Sequence, residues 1–139
     1  MQVDAKKLIE IANNARSNSY VPYSKFAVGA ALLLDNGEII TGCNIENASY
    51  GDTICAERTA IFKAVSEGKK NFVAIAVAGS LQGEEISQYA YPCGICRQVM
   101  REFANPKEFE VIVAGPNGEF IQKKLEEMLP YSFGPENLF

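Results

Sequence analysis

The stretch Phe26 to Leu34 is nine apolar residues without a break, and Asp35-Asn36-Gly37 follows it directly. An Asn-Gly pair between two apolar runs is the strongest short-range signal for a β-hairpin. The second arm reads Glu38-Ile39-Ile40-Thr41-Gly42-Cys43-Asn44-Ile45. A strand that is apolar at every position, instead of every second one, is a strand covered on both faces. A chain built around Phe26 to Leu34 therefore has to lay helices or a second sheet on each side of it.

The remaining segments supply those layers. Residues 4–17 read as a helix capped by Asp4, with Leu8, Ile11, Ala12 and Ala15 at helical spacing. Asn18 to Ser24 is a loop broken by Pro22. Asp52 or Thr53 is expected to cap a second helix that runs to about Glu67, with Gly68 as its stop. Phe72 to Ala78 is a nearly continuous apolar strand, and residues 80–91 form a polar connection. Pro92 then opens a third helix reaching about Ala104, and Glu110 to Ala114 is the next strand, ended by Gly115-Pro116-Asn117-Gly118. Phe120 and Ile121 suit a short strand, with a helical turn or two around Leu125 to Leu129. Strand–helix–strand–helix–strand predicts an α/β fold with a mixed, partly parallel sheet. At 139 residues the expectation is a single domain over 1–139, large enough to form a core without disulfides.

Charge and composition remove several function classes. Thirteen Lys and Arg against 17 Asp and Glu give a net charge of −4, the wrong sign for a partner of phosphate backbones. No apolar run approaches the roughly 20 residues of a membrane span, so no membrane partner is expected. The opening Met1-Gln2-Val3-Asp4-Ala5-Lys6 lacks an apolar leader core, and a cytoplasmic location follows as the expectation. The chain has no His, which excludes imidazole as metal ligand or general base. It has four cysteines, Cys43, Cys55, Cys93 and Cys96, and in a reducing compartment these bind metal, catalyse or pack more often than they pair.

Pro92-Cys93-Gly94-Ile95-Cys96 is a Cys-x-x-Cys at a helix opening. By itself it admits a redox dithiol, half of a zinc site, or two packed cysteines. Cys55 is expected in the first turn of the second helix, and both helices follow strands of one sheet, so their N-termini can lie side by side. Three sulfurs then converge on one tetrahedral Zn²⁺. Three protein ligands leave a position for water, whereas a structural site is closed by four. Strand alternation puts Asn44 and Glu46 on one face and Cys43 with Ile45 on the other, so Cys43 is expected to face away from the site as a small core residue. Glu57 is the candidate base, against the alternative that it only complements the helix dipole. Zinc with three thiolates carries a net −1, and Arg58 or Arg97 can offset it by donating to a sulfur. Arg58 is the preferred donor; for Arg97 a surface position is equally consistent.

Cys55-Ala56-Glu57 followed by Pro92-Cys93-Gly94-Ile95-Cys96 resembles the zinc deaminase signature, in its three-cysteine form. Phe26 to Leu32, Thr41 to Gly51, Leu129-Pro130 and Phe133-Gly134-Pro135 are similar to the small cytidine deaminases in particular, over about residues 5 to 135. Tyr91 stands where that family usually has a small residue, and Gly79 to Tyr91 looks longer and more acidic than the usual connection.

The resemblance implies a three-layer α/β/α sandwich with about five strands, and one Zn²⁺ per subunit on Cys55, Cys93 and Cys96. It implies hydrolytic deamination of cytidine and 2′-deoxycytidine in pyrimidine salvage, with zinc-activated water attacking C4 while Glu57 shuttles protons. Asn44 and Glu46 would hold the ribose, Phe26 would line the base pocket, and Ala48 and the Ala56 backbone would contact substrate. Tyr50 and Phe133 would reach a neighbouring subunit's site within a homotetramer. Two rivals stand beside this reading. A deaminase of a nucleic acid or a drug keeps the same metal motif, and a structural zinc module would close on Cys43 as a fourth ligand.

Overall fold

The computed structural model describes residues 2–139. The expected hairpin is its centre: β1 (Phe26–Leu34) pairs antiparallel with β2 (Ile39–Cys43), Leu33 opposite Ile39 and Gly29 opposite Cys43. On its other edge β1 pairs antiparallel with β3 (Phe72–Leu81). β3 in turn pairs in parallel with β4 (Glu110–Ala114), and β4 pairs antiparallel with β5 (Phe120–Lys124). The sheet order is β2-β1-β3-β4-β5, mixed as expected.

The unbroken apolar character of β1 is explained by its two covers. Ala31 and Leu33, with Ala74, Ala76, Ala78 and Ile112, pack against Leu8 and Ala12 of α1 (Ala5–Ala15). Ala30, Leu32 and Leu34, with Ile75, Val111 and Val113, pack against Ala60 and Ile61 of α2 (Ala56–Ser66) and Cys96 and Met100 of α3 (Gly94–Phe103). A single helix covers one face and two cover the other, and a short α4 (Leu125–Met128) closes the chain's last turn onto the second face. Asp4 caps α1 as read, accepting from the Lys7 amide at 3.2 Å.

A close approach and a late helix start position the opening of α2. A Cβ on Gly42 would lie 2.4 Å from the Ala56 carbonyl oxygen and 2.5 Å from the Ala60 amide nitrogen, so α2 rests directly on β2. The second helix also begins later than Asp52 or Thr53. Residues Tyr50–Asp52 form a 3₁₀ turn, and Ile45 and Ile54 exchange backbone hydrogen bonds at 3.0 Å each. That isolated bridge keeps 53–55 extended, and Cys55 becomes the N-cap of α2 instead of a first-turn residue. Likewise the third helix, expected to open at Pro92, begins at Gly94 with Cys93 as its N-cap.

Candidate active site

Cys55 and Cys93 hold equivalent places, each the extended residue whose carbonyl receives the first helical hydrogen bond, from Thr59 at 3.1 Å and from Arg97 at 3.0 Å. Cys96 lies one turn into α3 and is fully buried. The two helix openings meet, and the three sulfurs lie within 4.8 Å of one another: Cys55 to Cys93 is 4.0 Å and Cys93 to Cys96 is 3.6 Å. Tetrahedral zinc–sulfur bonds of about 2.3 Å place sulfurs about 3.8 Å apart, so the donor set fits zinc as it stands. Cys43 is not a fourth donor. It lies partly buried at the end of β2, outside the sulfur cluster as expected, but it belongs to neither core cluster.

The electrostatics favour thiolate at Cys55. Helix N-termini carry partial positive charge, and Arg58 Nη2 donates to Cys55 Sγ at 3.4 Å. Cys55 is pushed down to about 5 by a hydrogen bond from Cys96 and by the Arg58 guanidinium. Cys96, held by that same bond and by burial, is pushed well above the ordinary thiol range. Arg58 Nε is buried without a hydrogen-bond partner beside this sulfur-rich centre. Arg97 behaves differently: its Nη1 donates to the Met128 carbonyl and its Nε to the Cys93 carbonyl at 3.5 Å, so it braces the C-terminal segment and reaches no thiol.

Glu57 follows Ala56 into the first turn of α2, is 4% exposed, and is pushed up to about 7 by burial. It shares a cavity of about 250 Å³ with Cys55, Cys93, Ala56, Phe26 and Asn44. That is below the roughly 300–1,000 Å³ of sites for drug-sized ligands and suits one flat ring.

Asn44 and Glu46 do not form the paired strand face that the sequence suggests, because β2 ends at Cys43. The Asn44 amide replaces the ladder: Oδ1 accepts from the Val28 amide at 3.0 Å and Nδ2 donates to the Phe26 carbonyl at 2.8 Å. One lone pair and one N–H remain free for a ligand. Glu46 instead accepts from the Tyr23 and Ser24 amides at 3.0 and 3.1 Å and from the Ser24 hydroxyl, bonds that hold its carboxyl below the usual range. With Tyr23, Ser24 and Tyr50 it lines a second recess of about 410 Å³, and Thr53 lines both cavities. Tyr50, edge-on to Tyr23 at 5.8 Å, thus borders a recess of its own chain. Ala48 and Phe133 are exposed and line neither cavity.

Sequence reading did not assign Val28, Thr53, Ile54 or Ala90 to the site, and it noted Tyr91 only as a departure from the family; all five line the cavity. It also missed Arg101, only 8% exposed, which binds Ser132 Oγ at 2.7 Å and the Glu136 carboxylate. Proximity to Cys55 and Cys93 was the available signal for Thr53, Ile54, Ala90 and Tyr91. For Arg101, 31 residues from Ser132 in sequence, there was none.

Two helix N-termini that cluster three thiols, two of them facing a cavity shared with a buried carboxyl, define a zinc hydrolase centre of the deaminase class. The family model for the cytidine and deoxycytidylate deaminase zinc-binding region matches residues 2–120, and the chain belongs to that family. It is 47% identical to a cytidine deaminase of Halalkalibacterium halodurans over 136 residues, 98% of each chain. It is 46% identical to that of Sporosarcina psychrophila over 98% of this chain and 96% of the other. A crystal structure of cytidine deaminase from Burkholderia pseudomallei superposes with a TM-score of 0.85 at 44% identity, covering 94% of this chain and 100% of that one.

Proposed function

We infer that this chain hydrolyses cytidine and 2′-deoxycytidine to uridine and 2′-deoxyuridine, releasing ammonia, as a step of pyrimidine salvage. The observation that carries the reading is the shared cavity of Glu57 with the thiols of Cys55 and Cys93, Cys96 completing the sulfur triangle beneath. Cys55, Cys93 and Cys96 would hold the zinc, which would supply Lewis acidity toward the water that attacks C4. Glu57 accepts a proton from the attacking water and delivers it to ring N3, which makes C4 electrophilic. A second transfer through Glu57 to the exocyclic nitrogen breaks the C4–N bond, so that cytidine and water give uridine and ammonia. The Ala56 N–H at the opening of α2 faces the base edge, Phe26 borders the ring, and Arg58 offsets the excess negative charge of three thiolates.

The base occupies the smaller cavity and the sugar extends past Thr53 into the recess of Glu46, whose carboxylate accepts from ribose hydroxyls. Asn44 contributes its unused N–H at the junction. Residues 1–139 act as one domain in the cytoplasm, and among the described residues no helix is long and apolar enough to cross a membrane. Tyr50, Tyr131, Phe133, Leu138 and Phe139 are all more than half exposed, which supports association into a homotetramer whose sites are shared between subunits. The test is loss of cytidine ultraviolet absorbance by purified protein of measured zinc content. Turnover in proportion to zinc is expected; zinc-loaded protein inert toward cytidine overturns the assignment.

A further inference from the structure

The wall of the cavity formed by residues 89–91 is built with more rigidity than a connecting loop requires. Tyr91 lines the cavity beside Ala90, two residues ahead of Cys93. Its ring stacks on that of Tyr89, with centroids 5.8 Å apart and planes inclined by 13°. Tyr89 is seated in turn on the turn after β4: a Cβ on Gly115 would lie 2.4 Å from its ring, so only glycine admits it there. Between the two tyrosines, Ala90 Cβ stands 2.8 Å from where a Cβ on Gly79 would be, pinning the backbone against β3. Tyr91 is therefore backed by a second ring, which is itself backed by main chain.

We propose that Tyr91 is a specificity-determining residue, limiting bulk on the edge of the pyrimidine that carries the departing amine. The inference rests on the reading of this cavity as the base site of a cytidine deaminase. With C4 brought to the thiols and N3 turned to Glu57, the two remaining neighbours of C4 are the exocyclic nitrogen and ring carbon C5. Both lie toward the segment leading into Cys93. Tyr91 is 59% exposed, but on the side of Tyr89 its ring is stopped by that ring and by the Gly115 main chain beyond, so a substituent pressing it that way meets resistance. In a pocket that meets the substituent, one methyl group is worth about 10–200-fold in discrimination.

The experiment compares cytidine, N4-methylcytidine and 5-methylcytidine as substrates of the zinc-loaded wild type and of Tyr91→Ala, Tyr91→Phe and Tyr89→Ala. Calorimetric binding of uridine and 5-methyluridine supplies a readout without turnover. Tyr91→Ala is expected to raise the kcat/KM of at least one methylated substrate relative to cytidine by about tenfold or more, and to narrow the uridine preference in binding. Tyr91→Phe keeps the wild-type ratios, and Tyr89→Ala, which leaves Tyr91 in place without its backing, relaxes them in part. Ratios in Tyr91→Ala and Tyr89→Ala that both stay within about threefold of wild type overturn the assignment. Wild type inert toward cytidine overturns the deaminase reading and this inference with it, whereas brisk cytidine turnover with unmoved ratios overturns the Tyr91 assignment alone.

Discussion

The floor of the cavity and its outer rim are held in opposite ways. On the floor, Cys96, Ala56 and Glu57 are all buried, and their positions are set by α2 and α3 packed into the core beside Ala60, Ile61 and Met100. The rim is the surface beyond the cavity: Tyr50, which lines the neighbouring recess, is 74% exposed, and Phe133, which lines neither cavity, is 58% exposed. Phe133 is placed only through its backbone, whose carbonyl accepts from Gln98 at 2.9 Å, and through the neighbouring Arg101 grip on Ser132 and Glu136. The floor is complete within one chain, whereas the rim displays aromatic surface that the chain itself does not cover. Chemistry at the thiols should thus be sensitive to single atoms, and the rim to association and to the anchoring of its segments.

The sharpest break falls on the floor. Cys93→Ser removes one of three sulfurs and with it the closed triangle. Losing a partner outside the ligand set costs about 10–100-fold in metal affinity or activity, and losing a ligand exceeds that. Zinc content by atomic absorption and cytidine turnover are expected to fall together. A variant that keeps both would remove Cys93 from the ligand set. Glu57→Gln separates metal from catalysis: zinc stays bound while kcat drops by about 10²–10⁴, the usual contribution of a positioned acid–base group. Full activity in that variant would reassign the proton carrier.

The floor was legible because its information is local. Cys55-Ala56-Glu57 and Cys93-Gly94-Ile95-Cys96 each mark a helix opening within a few residues, and the hairpin register of β1 and β2 follows from the Asn36-Gly37 turn. What escaped reading depends on partners distant in sequence. The start of α2 is displaced because Ile45 pairs with Ile54, and β2 ends early because the Asn44 amide bonds back to Phe26 and Val28. Arg97 is diverted from the sulfurs by a carbonyl 31 positions away, at Met128. Tyr89 needs Gly115 beneath it before Tyr91 has a backing at all. No periodicity or motif encodes such pairings; they exist only once the sheet has brought the segments together.

Between floor and rim stands Arg58, whose guanidinium touches Cys55 but sits outside the sulfur triangle. Arg58→Gln removes its charge and is expected to cost about 10–100-fold in turnover or zinc affinity. It should fall short of Cys93→Ser in zinc loss, as titration with a competing chelator can measure. A loss equal to that of Cys93→Ser would make Arg58 part of the structural integrity of the floor.

The smallest effect is expected at the rim, and pH reveals its sign. Hydrogen bonds from Arg101 hold the Glu136 carboxyl below the ordinary carboxylate range. A carboxyl whose pKa is lower folded than unfolded stabilises fully above its unfolded pKa, and the contribution is lost as pH falls through the lowered value. The Arg101–Glu136 grip is therefore intact at neutrality and released in acid. Because acid also protonates thiolates and expels metal, the clean comparison is Glu136→Gln at neutral pH. Zinc content is expected to hold, while chymotryptic cleavage after Tyr131 and Phe133 speeds up relative to wild type. If cleavage is unchanged, the segment is held by Gln98 and the Arg97–Met128 bond instead, and the Arg101–Glu136 pair contributes nothing to its anchoring.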